Sequence, residues 1–171
     1  MRCLLLQIAA FFLVSNISAV ELLLVMEVYV RVVPTGQAEP VPDPFIEAMT
    51  RGEAPAATEG IQELQGKSFQ LSSKFEDFAP VIAGLEGQRV SVRFTATALP
   101  NGACAVTQFQ AFGLARASNS QLGPVGSSVV VSRSGFTIAP GQRIPQSVKA
   151  QSAGGRVIYY LIFSAAKGVA G

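Results

Sequence analysis

The sequence predicts a mainly β protein, an antiparallel β-sandwich entered through an apolar N-terminal segment and a linker with one short helix. Three observations lead there. From about Ser68 onward, short stretches that alternate apolar and polar residues recur every roughly 8 to 12 residues, the rhythm of small sandwiches and barrels. Pro-Gly, Asn-Gly and Gly-Gly pairs separate those stretches, and such pairs are strong turn formers. At 171 residues the chain has room for one core plus extensions, and its 14% charged content is low, since about 25% is usual for soluble domains.

Met1-Arg2 is a short positive start, CLLLQIAAFFLV is apolar, and small residues precede Val20. Residues 1–19 therefore read as a secretory signal peptide cut after Ala19. A competing reading keeps residues 4–33 as a helical membrane anchor. Asn16, Ser18, Glu21 and Glu27 oppose it, because an ionised carboxylate near a bilayer centre costs several kcal/mol. ISAVELLLV also resembles the start of the type IV pilins, with Glu21 in the place of their early glutamate.

MEVYVRVV alternates as a strand does, with Val28, Val30 and Val32 on one face and Glu27, Tyr29 and Arg31 on the other. PTGQAEPVPDP follows, and its four prolines remove backbone donors and hold an extended arm. Asp43-Pro44 starts a short helix over FIEAMTR, with Asp43 as N-cap, Pro44 in the first turn and Gly52 as the stop. EAPAATEG is a linker and SFQLSS a weak strand, while FEDFAPVIAG stays open between a short helix and an apolar loop because Pro80 interrupts it. RVSVRFTATA is the clearest strand, with Val90, Val92, Phe94, Ala96 and Ala98 inward; LPNG is its turn and ACAVTQFQAF the returning strand. A polar loop spans Gly113 to Gly126. SSVVVSR, GFTIAPGQ, PQSVKA and RVIYYLIFSA then read as four further strands, and the last, apolar on both faces, belongs at a sheet centre or in an interface. The expected organisation is residues 1–19 as signal (or 4–33 as anchor), 20–66 as a strand with a Pro-rich acidic arm, and 67–171 as the sandwich domain.

The residues needed for common catalytic sites are missing. There is no histidine, which removes the commonest general base and metal ligand, and the Ser-His and Cys-His nucleophile pairs with it. Cys3 lies in the expected leader and leaves Cys104 alone, so the mature chain has no intrachain disulfide and Cys104 reads as a small buried hydrophobe. Glu76 and Asp77 sit between Phe75 and Phe78 and read as solvating an apolar segment. No enzyme, cofactor or metal is expected.

Charge is the better lead. Residues 88–171 carry eight basic side chains and no acidic one, whereas residues 34–87 carry nine acidic against three basic. Such asymmetry concerns partners, or one half covering the other. Arg89, Arg93, Arg116, Arg133 and Arg143 are the candidate protein-binding residues, alongside the bland reading that cations protect sheet edges. Nucleic acid is not expected, since aromatics are not interleaved with these cations.

Several of these segments also resemble a known family. Cys104-Ala105-Val106 opening a strand, Gly113 with the polar run Ser118 to Gln121, FTIAPGQRIPQSVK, and GRVIYYLIFSAAKG as closing strand are similar to the curli-assembly inhibitors, small periplasmic chaperones of immunoglobulin-like fold. The likeness covers residues 88–169, and Gly102 stands where enterobacterial members carry the first cysteine of a Cys-x-Cys pair. GFTIAPGQRIPQSVKA is also similar to a strand region of PapD-like pilus chaperones. Both resemblances imply an immunoglobulin-like sandwich, secreted or periplasmic, that binds extended segments of an amyloid or pilus-type client by edge pairing and charge. The alternative is a membrane-anchored structural subunit of a pilus, envelope complex or virion, and an oligomer is left open. In a third arrangement, the acidic arm Pro34 to Glu63 folds over the basic face.

Overall fold

A computed structural model describes residues 22–53, 60–85, 88–114, 130–152 and 155–168. The strands are β1 (Leu22–Pro34), β2 (Ile61–Leu71), β3 (Glu76–Phe78), β4 (Val81–Ala83), β5 (Arg89–Ala98), β6 (Cys104–Leu114), β7 (Val130–Ile138), β8 (Arg143–Ser152) and β9 (Gly155–Lys167), with helix α1 at Pro44–Thr50. They form two antiparallel sheets, one ordered β2-β1-β9-β8 and the other β3-β5-β6-β7, with β4 beside β3 along β5. The chain is therefore mainly β, with the two sheets arranged as a sandwich.

Apolar residues on both faces put β9 at a sheet centre, as expected, between β1 and β8. Val157, Tyr159, Leu161 and Phe163 face the second sheet, while Ile158, Tyr160 and Ile162 face the other way. β1 follows the same logic: Leu22, Leu24, Met26, Val28 and Val30 enter the core between the sheets, and Tyr29 and Val33 join the outer cluster. Val32 keeps its predicted face but lies at the strand's end, 45% exposed. In the middle of the core, Phe163 meets Phe94, Phe109 and Phe136 at ring distances of 5.8, 5.7 and 5.5 Å, tilted or edge-on as aromatic quadrupoles favour.

The helix forms where Asp43-Pro44 predicts it. The Asp43 carboxylate accepts from Phe45 N at 3.0 Å, and Gly52, at φ +75°, follows the last turn. Its Phe45 and Met49 cover the outer face of the four-stranded sheet, with the Phe45 ring 5.2 Å from Tyr29 and 4.8 Å from Tyr160. Among the described residues, no helix or strand covers the outer face of the five-stranded sheet.

Several expectations change. Residues 22–33, the second part of the proposed anchor, form β1 rather than helix, because their alternation lets the backbone bond to β2 and β9. The expected boundary after residue 66 falls inside β2, and β1 is central to the sandwich, so the arm is an excursion from one sandwich strand to the next. SSVVVSR and GFTIAPGQ do not make two strands: β7 runs through Gly135, whose φ of +145° and lack of a Cβ allow contact with Val106 O. FEDFAPVIAG is neither helix nor loop but the short strands β3 and β4. Between them, Pro80 cannot donate, but its carbonyl accepts from Val92 N at 3.0 Å.

The strand order also differs from the immunoglobulin arrangement, in which strands distant in sequence pair by Greek-key crossovers. Here β5, β6 and β7 form a meander, β8 and β9 a hairpin, and only β1 with β9 joins strands far apart in the chain. The physical reason is connection length. Only five residues separate β5 from β6, four separate β7 from β8 and two separate β8 from β9, too few to pass over another strand. Residues 1–19 and most of the Gly113–Gly126 loop lie outside the described residues.

Phe163→Ala should cost about 3–5 kcal/mol in urea unfolding, because it empties the middle of the aromatic core. Val32→Ala, at a half-exposed site in the same sheet, should cost under about 0.5 kcal/mol.

Candidate protein-binding site

Alternation along β5 sends Val90, Val92, Phe94 and Ala96 into the core and Arg89, Ser91, Arg93 and Thr95 to the outer face of the five-stranded sheet. Arg89 and Arg93 are exposed, four residues apart, which is about 13 Å along an extended strand. Arg89 lies opposite Ala83 on one side and Leu114 on the other; Arg93 lies opposite Gln110. Among the described residues, neither guanidinium has a hydrogen-bond or ion-pair partner. The nearby acids on β3 are engaged with hydroxyls: Thr95 Oγ1 donates to Asp77 at 2.7 Å and Ser72 Oγ to Glu76 at 2.6 Å. Next to Arg93, β6 gains one residue against β5 and Gln108 takes φ +52°, a bulge that increases the local twist.

The other predicted cations fare differently. Arg116 lies outside the described residues; Arg133 sits in β7 opposite Phe109, and its side chain lies outside them too. Arg143, predicted as a binding cation, is instead held inside the fold. Its guanidinium donates to both Glu27 oxygens, at 2.6 and 2.7 Å, and to the Glu53 carbonyl at 3.3 Å, with side-chain exposure of only 22%. It points to the helix side of the sheet because β8 alternates, sending Ile144 and Val148 into the core.

Sequence reasoning missed the set of contacts that holds the arm. Glu39 receives hydrogen bonds from both Lys149 and Arg156. Asp43 accepts from Arg31 at 3.1 Å and from the Tyr160 hydroxyl at 2.5 Å besides capping α1, and the Arg31 guanidinium lies 5.6 Å from the Tyr160 ring centre. The acidic arm thus lies over a basic face, the one made by β8 and β9 rather than the one carrying Arg89 and Arg93. The Lys149 hydrogen bond, helped by Arg156 and opposed by burial, holds the Glu39 carboxyl below the usual range. Burial first, then the bond to Asp43, pushes the Tyr160 hydroxyl well up. Asp43-Pro44 announced the cap; its ties to Arg31 and Tyr160 span 12 and 117 positions and have no local signal.

Cys104 is fully buried in the core, and burial pushes its thiol up from 9.0 to about 12. It is a packing residue, with no activated thiolate.

Asp43→Ala removes the helix cap and leaves Arg31 unpaired, so it should cost about 2–4 kcal/mol in urea unfolding. Asp43→Asn, which keeps a cap acceptor, should cost less. Because the folded Cys104 pKa lies above the ordinary value, its contribution to stability is full below pH 9.0 and is lost as pH rises towards about 12. Tyr29, pushed up from 10.0 to about 12 chiefly by burial and then by Glu27, adds to the loss in that range. Unfolding free energy measured from pH 8 to 11 should therefore fall, and Cys104→Ala should fall less steeply.

Comparison with known proteins finds no family model, no curated protein and no solved structure that matches the chain.

Proposed function

We propose that the protein is a non-enzymatic, exported binding module that holds an acidic client protein on the outer face of its five-stranded sheet, as a chaperone-like factor in surface-fibre assembly. One observation carries this reading: Arg89 and Arg93 are exposed and unpaired among the described residues, while Arg31, Arg143, Lys149 and Arg156 are neutralised by acids of the same chain. Two cations at this spacing on a twisted sheet match carboxylates four residues apart on an extended acidic segment, about 13 Å, and they steer its approach. The apolar leader supports export, and the likeness of residues 88–169 to the curli-assembly inhibitors supports the client class. The strand order speaks against carrying over their immunoglobulin topology.

The edges of the four-stranded sheet are poor docking strands. β2 has a bulge between its pairings with Met26 and Val28, at Gln65 and Gly66, and carries Lys67, while β8 contains Pro145. Bulges, lysines and prolines are the ordinary means of blunting an edge. Client binding is assigned to the five-stranded sheet, at its cationic face.

A curli-type amyloid subunit followed by thioflavin fluorescence tests this. A substoichiometric amount of the protein should lengthen the lag, and Arg89→Glu with Arg93→Glu should shorten it again, with the largest difference at low salt. Unchanged kinetics with the unmutated protein would sink the reading.

A further inference from the structure

A second surface, at one end of the sandwich, is built for a different partner. β1 starts there and β2 and β9 end there, since Leu22 lies opposite both Leu71 and Lys167. β5 ends and β6 starts at the same end, where Ala98 N donates to Ser72 O at 2.8 Å. Ser73, Phe75 and the residues Thr97–Pro100 line an open, mainly apolar hollow of about 410 Å³. Phe75 stands at its rim, 60% exposed, and Leu99 and Pro100 line it. Lys74 and Lys167 are exposed at this end, and neither ammonium has a partner among the described residues. Of the acids that follow this loop, Glu76 is hydrogen-bonded by Ser72 and Asp77 by Thr95.

Where the apolar N-terminal run is kept as an anchor rather than cut off, the chain that enters here says what the surface faces. The apolar run at residues 3–14 lies upstream of Leu22, and the eight residues from Val14 to Leu22 span at most roughly 29 Å when fully extended. β1 alone has 13 residues and runs roughly 43 Å, so the chain from Leu22 is too short to bring Val14, the end of the apolar run, to the other end of the sandwich.

We propose that this end rests on a lipid bilayer, with Phe75, Leu99 and Pro100 in the interfacial zone and Lys74 and Lys167 at headgroup level. An exposed aromatic ring flanked by long cationic side chains is the combination that sits stably at a membrane interface. The inference does not depend on the client reading, because Arg89 and Arg93 lie on a sheet face along the sides of the sandwich.

The absence of tryptophan makes the test direct. Phe75→Trp, and Thr35→Trp just past the other end of β1, each give the full chain one fluorophore at an exposed site. The chain is reconstituted into phosphatidylcholine–phosphatidylglycerol vesicles containing brominated lipid, after equal urea midpoints show that both variants fold. The Phe75→Trp emission should shift to the blue and lose about half its intensity to the bromines, the behaviour of an interfacial aromatic, while the Thr35→Trp emission stays unquenched. Equal insensitivity of the two reporters overturns the proposal. So does a mature chain from its host that begins at Val20 and stays in the soluble fraction. A client that binds while Phe75→Trp remains unquenched overturns the membrane contact and leaves the client reading standing.

Discussion

Antiparallel pairing joins the first strand to the last along their full 13-residue lengths, from Leu22 opposite Lys167 to Pro34 opposite Gly155. β9 is apolar on both faces, and β1 adds Tyr29 and Val33 to the outer one, so this sheet cannot keep its outer face in water. The inner face is met by the second sheet through Phe94, Phe109 and Val92, and the outer face by Phe45 and Met49 of the helix. Each fully buried side chain in this ladder contributes roughly 1.5–3 kcal/mol, which is why both layers gather around it. The ladder stays close-packed to its last pair: a Cβ at Gly155, where φ is +143°, would lie 2.2 Å from Val33 O.

That ladder also sets the charge distribution. The arm leaves β1 at Pro34, so Glu39 and Asp43 arrive over the strand next to β1 rather than anywhere else. There they meet Lys149 and Arg156 from β8 and β9, and Arg31 from β1 itself, in partly screened surroundings where an unpaired charge is costly. Glu27, whose side chain shares that outer face, meets Arg143 in the same way. Arg143, Lys149 and Arg156 of the acid-free second half are thus neutralised on the helix side of the four-stranded sheet, while Arg89 and Arg93 keep their charge on the other sheet. Of the two sheet faces, the charge asymmetry of the chain therefore shows on the β5 face, where Arg89 and Arg93 are unpaired among the described residues.

Local chemistry made much of this readable in sequence. The period-two patterns of residues 26–33 and 89–98, the run at 156–165 that is apolar on both faces, the LPNG turn, and the Asp43-Pro44 helix start each act within a few residues, and each is present in the fold. Readings that failed depended on distant partners. Whether Gly135 ends a strand or lets it continue depends on how closely Val106 approaches, and whether Arg143 is free depends on Glu27, 116 positions away. Of the candidate binding residues, Arg89 and Arg93 were legible because exposure on a strand follows from alternation. Partner choice does not follow from alternation, and for that reason Arg143 was misread and the Arg31–Asp43–Tyr160 cluster was not seen.

Strand geometry relates the two surfaces proposed for binding. The loops at Phe75 and Leu99 cap the strand ends, whereas Arg89 and Arg93 project from a sheet face, so contact at one leaves the other open. With the capped end on a bilayer, both sheet faces stand away from the lipid plane, and one of them is already covered by the arm and helix. The face that remains is the cationic one. The cations on the helix side of the four-stranded sheet, Arg31, Arg143, Lys149 and Arg156, are used to close the fold, whereas Arg89 and Arg93, unpaired among the described residues, sit where an acidic chain can approach from solution.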